Sequence, residues 1–342
     1  MPFRAAYQLS LTALATTLSL AGCSGSRAPA TAAIKGAADP SLLAVAGQAK
    51  PAILGAAVLN LRTRQISSVN GDVPLPLQSV FKLPLGIYVM HLAERGKLSL
   101  DEKVTLSKND LSIFFSPIAE SFDARQVYTI RELVAANVSD SDNTAADWLL
   151  KRVGGPVALT GFFQHRGFRH FRVDRYEHEL QPESVGLPSG SGRMLDPDAY
   201  RRYRSAAPIQ VRRAGMERYL ADPRDRMSAN DAVKMLSMLD AGKLLNSANT
   251  TELMKVLLAT PSGPDRLKAG VPKGALVYHK TGTSSDVEAL NGATNDIGII
   301  ALPDGTRLAV AAFLSGSTLT AEDRARVLAS VAEAATARPP LM

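Results

Sequence analysis

The sequence has one cysteine, Cys23, among 342 residues, so no disulfide can form within a single chain. Aromatic residues make up only 6% of the chain, and no dense basic block alternates with them. We therefore interpret the formal net charge of +7 as a solvated surface and expect no nucleic-acid partner. After Cys23 no apolar run is long enough to cross a bilayer. The hydrophobic content of 46% supports a substantial folded core instead of disorder.

The N-terminus has the features of an export signal. Arg4 precedes an apolar stretch, Leu9–Ala21, that is too short to span a bilayer. The stretch ends in Leu-Ala-Gly-Cys, which resembles a bacterial lipobox with Cys23 as the lipidation site; the alternative is an ordinary cleaved signal. We predict a signal peptide at 1–22, a flexible tether at 23–39 rich in small residues, and an exported, periplasmic protein that meets the membrane only through a lipid on Cys23.

Hydrophobic periodicity predicts an α/β (α+β) fold, an antiparallel sheet that a long helical segment interrupts. The predicted strands are Ile53–Leu61, Gln65–Val69, Ala275–Tyr278, Ile297–Leu302 and Leu308–Leu314. The predicted helices are Pro40–Ala49, Leu83–Arg95, Ile130–Asn137, Thr144–Val153, Ser228–Leu239 and Thr320 to about Ala335. The N- and C-terminal helices flank the sheet. One domain, 40–342, then has an α/β part at about 40–72 and 272–342 and an all-helical part at about 73–271, with a ligand cleft between them.

Ser79-Val80-Phe81-Lys82 places a hydroxyl and an amine one helical turn apart at the start of an apolar helix. A lysine among apolar neighbours tends to lose its proton and can then accept one from the serine. Such a pair is also common by chance, as a helix cap followed by a solvated lysine.

Two further clusters carry polar groups. Ser141-Asp142-Asn143 lies between two predicted helices, where a capped loop is the simpler interpretation. Lys280-Thr281-Gly282-Thr283 ends a predicted strand, where a lysine and two hydroxyls could bind an anion, or where the lysine could protect a sheet edge.

Together and in this order, the three clusters resemble the signature of class A β-lactamases and penicillin-binding proteins, and the resemblance covers nearly all of the chain after the tether. It implies that Ser79 is the nucleophile, Lys82 its proton partner and Ser141 a proton shuttle. The backbone N–H groups of Ser79 and Thr283 would form the oxyanion hole. The implied substrate-binding residues are Asn143, Lys280, Thr281, Gly282, Thr283 and, at the cleft rim, Phe115.

Glu177 is the candidate base that activates water against the acyl-enzyme. Its surroundings, Arg172–Leu180, resemble the Ω-loop of class A enzymes; the alternative is an exposed carboxylate in a charged loop. This base distinguishes a β-lactamase from a penicillin-binding protein.

The chain departs from the family pattern in three places. Gln181 replaces the usual asparagine that helps to hold the hydrolytic water, and we expect it to act in the same way. About forty residues separate Gln181 from Asp222, a large insertion with a basic stretch that we interpret as helical. Arg175 is expected to pair with Asp222 and close the loop. Ile297 stands where the family often has an arginine.

We therefore predict hydrolysis of β-lactam antibiotics, and hence resistance to them, by a monomer that needs no cofactor. Two alternatives stay open: a DD-peptidase-like serine hydrolase, and a non-catalytic lipoprotein that binds a partner. The histidines His165, His170 and His178 lack a zinc-ligand spacing with a fourth donor, so we expect no metal site.

Overall fold

Strands from both ends of the chain form the main sheet. The computed structural model describes residues 37–112, 114–193 and 197–337. The strands are β1 (Ala37–Ala38), β2 (Ile53–Asn60), β3 (Ile66–Val69), β4 (Leu75–Pro76), β5 (Lys103–Thr105), β6 (Val127–Thr129), β7 (Arg226–Met227), β8 (Leu276–Thr283), β9 (Asp286–Val287), β10 (Leu290–Ala301) and β11 (Arg307–Ser317). The main sheet has the order β1-β3-β2-β11-β10-β8, with β9 paired to β10. All its pairs are antiparallel except β1 with β3.

Helices flank the sheet at both chain ends and fill the segment between β3 and β8. They are α1 (Pro40–Gln48), α2 (Lys82–Glu94), α3 (Pro117–Glu120), α4 (Ile130–Ala135), α5 (Asn143–Arg152), α6 (Gly155–Gln164), α7 (Glu177–Ser184), α8 (Pro197–Ala206), α9 (Ile209–Ala221), α10 (Ala229–Asp240), α11 (Ser247–Leu258) and α12 (Ala321–Thr336). A π-helix covers Ala136–Asp140, and 3₁₀ turns cover Gln78–Phe81, Lys108–Asp110, Ser189–Arg193 and Leu267–Gly270. Within the described ranges no helix is long and apolar enough to cross a membrane.

Local capping explains where several helices begin. The side chain of Asp39 accepts from the backbone N–H of Ser41 at the start of α1, and Thr320 does the same for α12. Thr129 and Glu132 form a reciprocal capping box at α4. These polar side chains satisfy backbone donors that have no partner within the helix, so they fix the helix starts.

The predicted mixed fold and all the predicted helices and strands are confirmed, with shifted boundaries. β8 extends five residues past Tyr278 because each residue from Leu276 to Thr283 has a partner on β10, so the Lys-Thr-Gly motif lies within the strand. At the N-terminus, Ala37–Ala38 pairs with β3 and Asp39 caps α1, so these three residues of the predicted tether take part in the fold. The predicted signal peptide and Cys23 lie outside the described residues.

Apolar layers cover both faces of the sheet. On one face, α1 and α12 pack on the central strands through residues such as Leu42, Leu314 and Leu328, all fully buried. On the other face the strands pack on the helical segment, in a core that includes Phe313 and Leu83. This second face carries the candidate site, because α2 and the helices around it lie there.

The insertion after Gln181 is helical and forms a third apolar cluster. Helices α8 and α9 contribute Tyr200, Met216 and Tyr219 to this cluster, and β9 and β10 contribute Val287 and Leu290. The inserted helices therefore pack against the sheet edge beside β8 and share a core with the segment that carries Glu177.

Candidate active site

The 3₁₀ turn Gln78–Phe81 presents Ser79 immediately before α2. Ser79 is half-buried, and Lys82 begins α2 fully buried. Gln78 has φ +44°, in the left-handed region that costs a non-glycine residue about 1 kcal/mol or more. The turn therefore holds the serine in a conformation that the surrounding structure must maintain.

Ser141 lies between two buried lysines. It ends the π-helix with φ +60°, and its carbonyl accepts from Lys82 Nζ at 2.6 Å. Its hydroxyl lies 2.9 Å from Lys280 Nζ and 3.4 Å from Lys82 Nζ. Asn143 Oδ1 also accepts from Lys82, and the Asp142 carboxylate caps α5 through the N–H of Ala145 at 2.8 Å. The Ser-Asp-Asn triplet thus connects the two lysines.

Lys280 is fully buried on β8. Burial lowers the pKa of Lys280 well below its ordinary value, and the positive charge of Lys82 lowers it further. The carboxylates of Asp296 and Glu177 act in the opposite direction. A substrate anion would favour the charged lysine in the same way as these carboxylates do.

Glu177 begins α7 with its side chain fully buried, and its Oε1 lies 3.3 Å from Lys82 Nζ. Gln181, one turn later, donates to Glu177 Oε2 at 2.7 Å. Asp147 on α5 accepts from the backbone N–H of Glu177 at 2.6 Å and from His178 at 2.8 Å. The alternative of an exposed carboxylate is wrong for Glu177, because this loop folds inward over α5.

The end of β8 passes directly beside the turn that carries Ser79. A Cβ on Gly282 would lie 2.7 Å from the carbonyl of Leu77 and 3.1 Å from the backbone nitrogen of Val80, so only glycine fits there. Asn295 on β10 ties the same turn to the sheet by donating to the Pro76 and Leu77 carbonyls, at 2.8 Å to the Pro76 oxygen. The backbone that carries Thr283 therefore lies next to the backbone that carries Ser79.

An arginine that no motif predicted, Arg266, lies beside this strand. Its Nη2 donates to Thr283 Oγ1 at 2.7 Å and its Nη1 to the Asn295 carbonyl at 2.9 Å. Thr281 Oγ1 lies 2.6 Å from Ser262 Oγ. Ile297 is fully buried and in register with Lys280. Arg266 thus supplies a cation at the Thr283 end of the cleft, although Ile297 cannot.

Phe115, predicted at the cleft rim, lies beside the Ser-Asp-Asn segment. It has φ +48° and is 67% exposed, and its carbonyl accepts from the N–H of Asn143 at 3.2 Å. Its backbone therefore contacts the Ser-Asp-Asn segment while the ring stays in solvent.

The loop that carries Glu177 is closed by Arg175. The expected pair with Asp222 forms at 3.3 Å, but Arg175 makes closer pairs with Asp225 at 2.6 Å and with Glu183 at 2.7 Å. Asp225 is the main partner because it also accepts from the backbone N–H of Asp174 at 2.6 Å. Sequence spacing alone could not separate two aspartates three residues apart.

Within the described part of the chain, no three His, Cys, Asp or Glu side chains gather as a metal-binding group. The arrangement instead suits acyl transfer: a serine at the start of a helix, two buried lysines and a shared hydroxyl, and a carboxylate that can act on water.

Comparisons with known proteins agree with this chemistry. The model of the "Beta-lactamase enzyme family" matches residues 40–338. The extended-spectrum β-lactamase PER-1 of Pseudomonas aeruginosa is 30% identical over 269 residues, 78% of this chain and 76% of PER-1. A β-lactamase from Chitinophaga pinensis matches with a TM-score of 0.70 and 30% identity, over 86% of this chain and 96% of that one.

A reconstructed ancestral class A β-lactamase of Gram-negative bacteria (GNCA) matches with a TM-score of 0.69 and 31% identity, over 86% of this chain and 96% of the ancestral one. The family model therefore matches nearly all of the predicted folded domain, and the ancestral structure that matches is a class A enzyme. The chain belongs to the class A β-lactamases of the β-lactamase enzyme family.

Proposed function

We propose that this chain confers β-lactam resistance by opening β-lactam rings through an ester on Ser79, which Glu177 then helps water to hydrolyse. The observation that carries the proposal is the contact of two buried groups, Glu177 Oε1 and Lys82 Nζ, at 3.3 Å. A carboxylate at this point lies within reach of the groups that surround the acylated serine. Hydrolysis of the ester distinguishes this reaction from that of a penicillin-binding protein, in which the adduct is long-lived.

In acylation, Ser79 Oγ attacks the lactam carbonyl while its proton passes to Lys82 or, through water, to Glu177. The Ser79 and Thr283 N–H groups stabilise the tetrahedral oxyanion. Ser141 Oγ, which Lys280 holds at 2.9 Å, delivers a proton to the leaving nitrogen, and the C–N bond breaks to give the ester.

In deacylation, Glu177 removes a proton from water as its oxygen attacks the ester carbonyl, and Ser79 leaves with a proton. Gln181 donates to Glu177 at 2.7 Å and keeps the carboxylate aimed at the reacting water. The net change is addition of one water across the lactam amide.

Lys280, Thr281 and Thr283 bind the substrate carboxylate, and Arg266 reinforces them through its bond to Thr283 Oγ1. We expect Arg266→Ala to raise KM for a cephalosporin about 10- to 100-fold, since a hydrogen bond to a charged group contributes about 1.5–3 kcal/mol. Initial-rate kinetics would measure this, with Arg266→Lys as the charge-retaining control. An unchanged KM in Arg266→Ala would contradict the assignment.

The proposed reaction is tested by turnover of a chromogenic cephalosporin with intact-mass analysis of the protein lacking residues 1–23. Steady turnover, with an adduct that appears and decays, is the expected result, and Ser79→Ala is the control that cannot be acylated. A persistent adduct would indicate a DD-peptidase-like enzyme. The absence of both turnover and adduct would indicate a binding module.

For location and organisation, we propose an exported, monomeric lipoprotein attached through Cys23, with an α/β part (40–72 and 272–342) and a helical part (73–271). The lipobox-like sequence supports the first statement. The second is supported by the positions of the sheet strands and of α2–α11 on either side of these boundaries. Membrane fractionation of cells that express Cys23→Ser tests the anchor: the variant should become soluble.

A further inference from the structure

A chain of hydrogen bonds joins the inserted helix α9 to Glu177. Gln78 Nε2 donates to the Tyr219 hydroxyl at 2.6 Å. Gln181 Nε2 donates to Gln78 Oε1 at 3.1 Å and to Glu177 Oε2 at 2.7 Å. Gln78 and Glu177 are fully buried, and Tyr219 is 4% exposed. The path therefore runs through the protein interior from the insertion to the carboxylate.

The proposed role of Glu177 as a general base sets the direction of the bonds between the two amides and the carboxyl group. A general base acts as a carboxylate, which can only accept, so Gln181 must present its amide nitrogen to it. The same nitrogen then requires an acceptor oxygen from Gln78, which leaves the Gln78 nitrogen facing outward. The Tyr219 oxygen accepts from that nitrogen and completes the chain. If the Gln78 amide turned over, two N–H groups would face each other at Gln181.

Tyr219 is held firmly enough to act as the end of this chain. A Cβ on Gly292 of β10 would lie 2.9 Å from Tyr219 Cε1 and 2.7 Å from Met216 Sδ, so α9 packs directly on the strand backbone. Burial raises the pKa of the Tyr219 hydroxyl, which keeps it neutral. The backbone at Gln78 is in the left-handed region, so the structure around it must maintain that conformation.

We propose that Tyr219 is a positioning residue for deacylation: its hydroxyl orients Gln78, which orients the Gln181 amide toward Glu177. The inserted helix thereby serves the second half of the reaction. This inference rests on the proposed function, because it assumes that Glu177 activates the hydrolytic water. Removing the hydroxyl leaves a buried N–H of Gln78 without an acceptor, so the Gln78 side chain is held only at its Gln181 end.

The test is Tyr219→Phe, which keeps the ring and removes only the hydroxyl. Single-turnover intact-mass measurements with a cephalosporin should show decay of the Ser79 adduct slowed about tenfold, as expected from roughly 1.4 kcal/mol. Formation of the adduct should change less than twofold. Where deacylation limits turnover, kcat and KM fall together and kcat/KM is unchanged. Tyr203→Phe is the control and should match the parent, because Tyr203 lies on α8 of the same insertion and its side chain is exposed.

Three results would separate the possible failures. If Tyr219→Phe slows adduct formation and decay equally, or leaves both unchanged with the parent's thermal unfolding midpoint, the positioning role is wrong. If Tyr219→Phe lowers the midpoint but still decays at the parent's rate, it is also wrong. If the parent enzyme shows neither turnover nor an adduct in the same assay, the proposed function itself fails.

Discussion

Glu177→Gln should convert the enzyme into one that acylates but does not release product. The amide keeps the size of the side chain and its contact with Gln181, but it cannot accept the proton of the attacking water. We expect kcat to fall about 10²- to 10⁴-fold, the usual contribution of a positioned general base. Intact-mass analysis after mixing with a cephalosporin should then show the adduct on Ser79 as the main species.

The control for this variant is Glu179→Gln on the same helix. Glu179 accepts from the backbone N–H of Tyr176 at 3.0 Å, a bond that glutamine can also make, and it is not part of the proposed chemistry. It should turn over like the parent. If Glu177→Gln hydrolyses the adduct at the parent's rate, another group activates water and our assignment of the base is wrong.

Asp225→Ala should cause the largest loss of stability among the loop residues. Asp225 is buried beside Arg175, accepting from Arg175 Nε at 2.6 Å and from the N–H of Asp174 at 2.6 Å. Burial raises the pKa of Asp225 while the Arg175 charge opposes the shift, so the pair contributes little net stability compared with an apolar pair. Removing only Asp225 has a larger effect than replacing the whole pair, because Arg175 would keep its charge in the interior. We expect the free energy of unfolding to fall by about 3–5 kcal/mol.

Urea denaturation measures this loss, and Asp123→Ala, which removes an exposed carboxylate, is the matched control with little expected change. Asp225→Asn should fall between them, since its side-chain oxygen still accepts from the backbone N–H of Asp174. An Asp225→Ala protein as stable as the control would mean that Glu183 and Asp222 alone satisfy Arg175.

Sequence patterns predicted the parts of the site that are local in the chain. Ser79 and Lys82 are one helical turn apart, and Glu177 and Gln181 occupy adjacent turns of α7, so periodicity alone brings each pair together. Lys280 could be predicted for the same reason, because its motif is contiguous within one strand. These residues also carry the family resemblance, because each motif lies within a single helix, turn or strand and so has a fixed spacing in the sequence.

The remaining residues depend on packing between distant segments, which no local pattern encodes. Arg266 reaches Thr283 because a 3₁₀ turn lies against the end of β8, and Asp147 reaches Glu177 because α5 lies under α7. Gln78 immediately precedes the nucleophile, so its position alone marks it as part of the site. Its partner Tyr219 is 141 residues away and could not be found in this way. Asp225, and not the predicted Asp222, is the main partner of Arg175, and its backbone lies in a turn with φ +52°.

The inserted helix α9 meets the segment just after α7 through two glycines, Gly215 and Gly186. A Cβ on Gly215 would lie 2.2 Å from the Gly186 Cα, and Gly186 itself has φ +77°, so neither position accepts even an alanine without separating the two backbones. A side chain added at either glycine would therefore displace the chain that follows α7 as well as α9, so the insertion and the Glu177 segment are packed at backbone distance.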